Sequence, residues 1–451
     1  MVIGIFILGC DKNTVDAEYL AGILAEKGCE VIAEPPLTMP LDAAVVVTCG
    51  FIADAKVESI DKILELAQAK ETLGNPKRLY IMGCLSQRYA NDLSTEVPQI
   101  DGIVGVGQMK QLAAMILAEK THHTLVRPVP RTSFRGALPR QRLDTRPYAF
   151  LKIADGCNHA CTFCSIPIMK GAYQSIPPHT LLREAQQLLA QGVRELNLVA
   201  QDIAGYGIDQ WKSYRLPHLL KDLCSLSGTF WIRLLYCYPH GITDPLLEVM
   251  ATEPKIVPYL DIPFQHFDPE VLERMGRPFG KLNPEEVVSK VRSAMPGIVL
   301  RTTMLVGFPG ESPRAHRNML QAMERLRFER LGAFIYSPEE GTPAANFPKQ
   351  VRRVTRQRRW DTVMSLQAEI SAAFCASRVG SRTQVLVEDF DKDLQMYVTR
   401  SAAEAPEVDG LVYVTSEKPL ALGEFIDVQI TNADVYDIYA VPSEKSERQK
   451  P

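Results

Sequence analysis

The sequence predicts an α/β protein in three parts: an open parallel α/β domain, a central partial (βα)6 barrel, and a small antiparallel β-barrel. Three observations predict it. Short β-branched runs alternate with longer amphipathic segments over residues 1–120 and again from Tyr148, the pattern of parallel strands covered by helices. A stretch with three prolines, six arginines and one acid, residues 121–146, separates the two series. Beyond residue 379 short alternating runs with turn residues take over, which fits a small barrel.

In the first series the expected strands are Val2–Leu8, Ala43–Thr48 and Arg78–Met82, and the expected helices Thr14–Lys27, Ala53–Ala69 and Gln108–Glu119. The second series places strands near 149–153, 195–200, 230–235, 258–262, 298–305 and 331–335, with helices such as Thr180–Gln191 and Glu285–Ala294 between them. Six such units suffice for most of a barrel whose site lies at the carboxyl ends of the strands. A long polar helix, Val351 to about Arg378, follows. The last runs are Gln384–Val387, Leu411–Val414, Phe425–Ile430 and Val435–Tyr439. Domains are therefore expected at 1–120, 147–378 and 379–441, with 121–146 an exposed basic linker and 442–451 a polar, disordered tail.

At 46% apolar and 23% charged residues the chain has the composition of a soluble globular protein. A net charge of −3 argues against a bulk polyanion binder, so nucleic-acid binding would need a local basic patch. No apolar run approaches the ~20 residues that span a bilayer. Leu8-Gly9-Cys10 mimics a lipoprotein cleavage site, but no basic segment precedes it, and Met1 to Cys10 reads as a first strand of a cytoplasmic protein.

Ten cysteines, at 10, 29, 49, 84, 157, 161, 164, 224, 237 and 375, point in a reducing compartment to metal or redox chemistry. The sharpest signal is Cys157-x3-Cys161-x2-Cys164, directly after a strand. Three thiolates leave one iron of a four-iron cubane open. The amino and carboxylate groups of S-adenosylmethionine can chelate that iron, and an electron passed into the sulfonium releases a 5′-deoxyadenosyl radical. A Cys-His-Cys-Cys zinc site that includes His159 is the competing reading, although no second knuckle follows. Cys10, Cys49 and Cys84 each end a predicted strand beside a glycine, where an open parallel sheet forms its binding crevice. They could hold a second cluster, or be buried structural cysteines. Cys29, Cys224, Cys237 and Cys375 fit no such pattern and read as packing residues.

The segments LGCDKN (8–13), VVTCGFI (46–52), MGCLSQRY (82–89), KIADGCNHACTFCSIP (152–167), LVAQDIAGYGID (198–209), PYLDIPFQH (258–266), LRTTMLVGFPGE (300–311), RSAAEAPEVDG (400–410) and NADVYDIY (432–439) together resemble the methylthiotransferases of the radical S-adenosylmethionine superfamily over essentially the whole chain. The resemblance implies a radical-SAM core at 147–378, a TRAM-like substrate-gripping barrel at 379–441, and two [4Fe-4S] clusters. The auxiliary cluster would be held by Cys10, Cys49 and Cys84, and the radical cluster by Cys157, Cys161 and Cys164. It further implies cofactor contacts from the turn containing Gly307, Gly310 and Glu311, with Gln201, Asp202 and Phe163 facing the same site; loop shaping and packing compete as readings for each. No catalytic histidine or carboxylate is assigned, because a β-C–H beside a carboxylate has no useful acidity.

Two positions depart from the family pattern. Asp11 stands where members carry proline, and Ile176 where they carry arginine, which removes a charged contact that could orient substrate.

The family divides between enzymes acting on a transfer-RNA adenosine and enzymes acting on an aspartate of small-subunit ribosomal protein twelve. Residues 376–443 hold twelve acids and five Lys or Arg. That acidity suits a basic ribosomal protein better than RNA phosphates. APEVDG and YDIY also resemble the protein-modifying, RimO-type branch. The expected partners are that ribosomal protein, free or on the assembling ribosome, and an electron donor such as flavodoxin or ferredoxin. A non-enzymatic iron–sulfur carrier or ribosome-binding sensor is the rival from another class, and the GFPGE turn argues against it.

Overall fold

The computed structural model describes residues 1–127, 138–277 and 283–443. Its first sheet has six parallel strands, in spatial order Glu30–Ala33, Val2–Ile7, Ala43–Thr48, Leu79–Gly83, Gly102–Val104, His123–Leu125. Every residue of Ala43–Thr48 is buried, as a strand covered on both faces requires. Helices Asp11–Ala25 and Met109–Leu117 share one apolar core with the sheet, and Ala53–Leu73 and Cys84–Glu96 share another on the opposite face. The strand order reverses at Val2–Ile7, and such a switch point opens a crevice at the carboxyl ends.

The short strands Glu30–Ala33, Gly102–Val104 and His123–Leu125 and the polar helix Cys84–Glu96 have too little periodicity to be read from sequence. The last of those strands lies in the stretch expected to be an exposed linker. The described residues of that stretch are exposed or half-buried, but the Arg140 side chain is only 4% exposed, its guanidinium paired with Glu18 and, at 2.6 Å, with Glu184. The linker is therefore fastened down at both described ends, because buried acids on two helices require a cation. Residues 128–137, and 444–451 of the expected tail, lie outside the described residues.

The central sheet consists of Tyr148–Lys152, Glu195–Val199, Trp231–Leu234, Ile256–Asp261, Val299–Val306 and Arg330–Ile335, parallel and adjacent in chain order. One face packs against its own helices. The other carries Tyr148, Phe150, Trp231 and Tyr259, which share a core with helix Asp11–Ala25 and with Leu386 and Ala405 of the last domain. Helix Arg353–Ser377 closes the final strand, with the Trp360 indole donating to Ala333 O at 2.8 Å.

Strands Arg382–Asp391, Met396–Ser401, Val412–Val414, Ile438–Pro442 and Phe425–Ala433 form a closed ring in that order. The expectation of a wholly antiparallel barrel needs one correction: Val412–Val414 and Ile438–Pro442 run parallel. Five strands cannot alternate direction all the way round a ring, so one parallel pair is forced. Among the described residues no helix is long and apolar enough to cross a membrane.

Candidate metal centre

The first cysteine triad is assembled at the switch point. Cys10 follows Val2–Ile7 and caps helix Asp11–Ala25, Cys49 follows Ala43–Thr48, and Cys84 begins helix Cys84–Glu96. The neighbouring glycines are what let these loops meet. A Cβ on Gly9, whose φ is +91°, would lie 2.5 Å from Cys49 Cβ, and one on Gly50 would lie 2.8 Å from Leu85 N. Two polar side chains lock the arrangement. The Asn13 amide donates to Leu8 O (2.6 Å) and Thr48 O (3.2 Å), while Ser59 accepts from Cys49 N (3.0 Å) and donates to Cys49 O (3.1 Å). Helix starts beside Cys10 and Cys84 favour negative charge there. Burial opposes that charge, pushing the Cys49 thiol up and the Cys84 thiol up to about 12, against the pull of Lys170 on both.

The second triad lies on the loop after Ala154–Asp155. Cys157 N donates to Gly171 O, Thr162 N to Met275 O, and Cys164 N to Cys161 O, each within 3.1 Å. A Cβ on Gly276 would strike Ala160 O at 2.4 Å, so that residue must be bare for the loop to seat. Burial pushes Cys157 and Cys164 up to about 12 despite a backbone N–H donated to each, from His159 and Ile166, and the nearby Arg277 cation. Arg277 sits 3.9 Å from Cys161 Sγ and 4.5 Å over the Tyr238 ring. It is a site residue with no motif to announce it.

His159, the proposed fourth zinc ligand, is occupied elsewhere. Its Nε2 lies 2.8 Å from Asp202 Oδ2, and its ring stacks on Tyr238 at 3.6 Å. Among the described residues no three His, Cys, Asp or Glu side chains crowd closely enough to hold a single ion. Ligands of one tetrahedral ion sit ~3.8 Å apart, given Zn–S of ~2.3 Å, whereas a four-iron cubane spreads its thiolates over separate irons. Two groups of three thiols, each beside a cation, fit such a cubane: Cys49 and Cys84 are buried, Cys157, Cys161 and Cys164 half-buried and Cys10 exposed, and a bound metal removes the thiol protons that burial retains.

The expected cofactor contacts divide differently. Phe163 packs edge-on to Phe308 at 6.4 Å. Asp202 is spent on His159, on Ala204 N (2.9 Å) and on Tyr238 N (3.2 Å), and so positions the cysteine loop. Gly307 (φ +75°) and Gly310 (φ +86°) are pressed by the side chains of Arg356 and Arg274, within 2.7 Å of where a Cβ would stand. Glu311 turns inward. Its carboxylate takes the Gly307 N–H and lies 3.2 Å from Arg359, 3.4 Å from His316 and 3.8 Å from His266. Burial opposes its ionisation, but the two histidines and the arginine hold it down at about 2. In these five the loop-shaping and packing tasks are visible. Gln201 differs: its Oε1 is buried with no hydrogen-bond partner among the described residues.

The two departures also find their places. Asp11 lies 3.0 Å from Lys12 Nζ, which sits 3.0 Å over the Tyr236 ring, so its charge is compensated. Ile176 is 2% exposed within the apolar core of the central domain. Its side chain packs in that core.

A short bridge joins the two triads. Cys84 packs with Met169 and Ile166, on the helix Ile166–Lys170 that starts two residues after Cys164.

Sequence models of three families match the chain: the Uncharacterized protein family UPF0004 at residues 3–105, the Radical SAM superfamily at 151–323 and the TRAM domain at 379–442. The chain is 42% identical to the Ribosomal protein uS12 methylthiotransferase RimO of Thermoanaerobacter sp. (strain X514) over 97% of its length and 98% of that protein's. It is also 42% identical to the protein of that name from Desulforamulus reducens, with the same coverage. Among solved structures its fold is similar to the radical S-adenosylmethionine methyltransferase TsrM from Kitasatospora setae, with TM-score 0.54, 16% identity and 76% of each chain covered. It is likewise similar to the S-adenosylmethionine radical enzyme OxsB, with TM-score 0.55, 12% identity, and 82% of this chain and 56% of that one covered.

Proposed function

The chain belongs to the RimO methylthiotransferases of the radical S-adenosylmethionine superfamily, and from that premise we propose that it adds a methylthio group to the β-carbon of an aspartate of ribosomal protein uS12, using S-adenosylmethionine and two four-iron clusters. One observation carries the proposal: Cys84 of one cysteine triad packs on the helix Ile166–Lys170, which begins two residues after Cys164 of the other. Cys157, Cys161 and Cys164 hold the radical cluster, and Cys10, Cys49 and Cys84 the auxiliary one. When bound, the radical cluster supplies the electron that splits S-adenosylmethionine and frees a radical able to take hydrogen from an unactivated C–H bond. The protein's own work is positioning. Asp202 holds His159 and Tyr238, Arg277 places a cation beside Cys161, and Gln201 Oε1 offers an unsatisfied acceptor at the end of strand Glu195–Val199. Flavodoxin or ferredoxin fits as the electron donor.

The reading is tested by incubating anaerobically reconstituted protein with uS12, S-adenosylmethionine and a reductant. Intact uS12 should gain the mass of one methylthio group, located on an aspartate by fragmentation. Unmodified uS12 beside a methylthiolated transfer-RNA adenosine would move the enzyme to the RNA-modifying branch. Iron content tests the cluster count. Full-length protein should bind about eight irons and the Cys157/Cys161/Cys164 triple alanine variant about four, at four per cubane.

The charge argument for a protein substrate survives in reduced form. Four acids of the last domain are consumed internally: Glu388 by Arg400, Glu404 by Arg330 and Arg378, Glu407 by Arg146, and Asp409 by Arg301. Eight acids then face the three cations Arg382, Lys392 and Lys418. Asp391 is also engaged, accepting from Asp393 N and Leu394 N to shape its turn. The exposed Asp389 and Asp393 are the cleaner probes. Reversing both to lysine should raise the apparent KM for uS12 several-fold at low salt, with the difference vanishing at high salt. An unchanged KM at low ionic strength would remove the barrel's charge from substrate recruitment.

A further inference from the structure

Four charged side chains are buried where the amino-terminal and central domains meet. Asp16 lies on helix Asp11–Ala25, which begins beside Cys10; Lys152 ends strand Tyr148–Lys152; Asp155 lies two residues before Cys157; and Lys170 ends the helix that follows Cys164. All four are at most 5% exposed. Lys152 pairs with Asp16 and lies 3.6 Å from Asp155, while Lys170 lies 3.3 Å from Asp16 and 3.5 Å from Asp155. Two lysines and two aspartates balance one another. That alone would make a neutral interdomain clamp, and such clamps add little net stability over an apolar contact.

Lys170 has a second face. Lys170 ends the helix whose Ile166 and Met169 pack against Cys84, and its ammonium lies 3.3 Å from Asp16, on the helix that Cys10 caps, so the geometry sets it beside the auxiliary triad; in keeping with that place it opposes the effect of burial on Cys84 and Cys49. The radical triad has a cation of its own, Arg277, 3.9 Å from Cys161 Sγ. The lysine therefore comes from the radical domain but serves the auxiliary triad. Cys84 is only 7% exposed, so water screens that relation weakly.

We propose that Lys170 is the fixed counter-charge of the auxiliary cluster, held in place by Asp16 and Asp155, and that it sets that cluster's reduction potential. The inference rests on the two-cluster reading above. Thiolate ligands and sulfides leave a cluster with excess negative charge, and each added electron deepens it. A buried cation beside the cluster favours the reduced state, and net charge is one of the main determinants of cluster potential. Because the cation belongs to the other domain, the auxiliary cluster has its working potential only when the two domains are docked. Lys170 is on this account a positioning and tuning residue that touches no reacting atom.

The test is a spectroelectrochemical titration of the reconstituted full-length protein, in which the signal that responds to S-adenosylmethionine reports the radical cluster and the unresponsive signal the auxiliary one. In Lys170→Met the reduced-to-oxidised ratio of the auxiliary cluster at a fixed potential should fall at least tenfold, a shift of 59 mV for one electron. Lys170→Arg should remain close to wild type, and the radical-cluster signal should not move in either variant. Because Lys170→Met leaves two buried aspartates facing one lysine, the double variant Asp16→Asn/Lys170→Met, which keeps the charges balanced, should show a fall in the same direction, smaller because a nearby negative charge is removed with the cation. Eight irons with an unmoved auxiliary potential in a methionine variant would overturn the inference and leave the two-cluster reading intact, whereas four irons in wild type would overturn that reading itself. Equal falls in the methionine and arginine variants would also overturn it, since shape rather than charge would then matter. If both methionine variants fail to take up the auxiliary cluster while the arginine variant loads, the charge requirement stands by a second readout. Failure of all three variants to load would refute it.

Discussion

Replacing Cys10, Cys49 and Cys84 together with alanine is expected to abolish methylthiolated product while leaving reductive cleavage of S-adenosylmethionine to 5′-deoxyadenosine within a few-fold of wild type. The separation follows from where each triad gets its support. The radical loop is held by Gly171, Met275, Asp202 and Arg277, all in the central domain. The auxiliary triad is held by Asn13, Ser59 and the close approach at Gly9 and Gly50, all in the amino-terminal domain. The contact of Cys84 with Met169 and Ile166 joins the two, and cysteine to alanine there removes one sulfur from a small apolar cluster. Product should fall by more than ~100-fold, at least 2.7 kcal/mol at 1.36 kcal/mol per decade. Cleavage and product falling together would mean that the two sites are one functional unit. Normal product would remove the auxiliary triad from the chemistry.

How the site could be foreseen differs from residue to residue. The cysteines were legible because strand ends and glycines recur beside them, and the crevice of a parallel sheet is a local consequence of strand order. Gly9 and Gly50 show why the pattern is strict, since a Cβ at either would strike the neighbouring cysteine loop. The residues that orient the loops were not legible. Asp202 meets His159 across 43 positions and Lys170 meets Asp16 across 154, and neither pair has any spacing rule. Glu311 shows the same limit: a carboxylate in a glycine turn after a strand resembles a ligand contact, and here it accepts the Gly307 N–H, lies 3.2 Å from Arg359 and sits against two histidines. The acidity of the last domain was correctly counted but only partly free. The APEVDG segment spends Glu407 and Asp409 on docking to Arg146 and Arg301. The barrel's parallel pair follows from closing five strands, a constraint that a strand-by-strand reading does not contain.

The same docking surface gives the second large effect. Glu195, Arg233, Tyr259, Arg301 and Arg330 occupy five neighbouring strands of the central sheet and all reach the last domain or its partners. Glu195 is wholly buried and carries two arginines at once, Arg233 at 2.6 Å and Arg400 at 2.5 Å from its two oxygens. Glu195→Gln keeps the shape and removes the charge, leaving the buried Arg233 without a carboxylate and Arg400 with Glu388 alone. Breaking a buried pair in this way costs ~3–5 kcal/mol, a large share of the ~5–15 kcal/mol that stabilises a domain. The acid dependence has the same origin. Burial opposes ionised Glu195, but Arg233 and Arg400 outweigh it and hold its carboxyl below the usual range; Arg378 and Arg330 do the same for Glu404, down to about 2. A carboxyl depressed in the folded state contributes stability above its unfolded value of ~4.3 and loses it as pH falls through the folded one. Barrel docking should therefore be intact above about pH 4.3 and weaken progressively toward pH 2 in wild type. In Glu195→Gln the denaturation midpoint should drop at neutral pH, and the residual acid sensitivity should be smaller by the share that Glu195 carried. The measurement is chemical denaturation at stepped pH, followed by fluorescence from Trp231, which packs 4.7 Å from Phe425 of the barrel. Adding Arg233→Met to Glu195→Gln removes the cation whose acid partner was Glu195, while Arg400 keeps Glu388, and should recover part of the loss, a coupling that a cycle of single and double variants reads directly. A neutral-pH midpoint unchanged by Glu195→Gln would mean that the apolar contacts of Leu386, Ala405 and Phe425 hold the barrel in place without the buried charges.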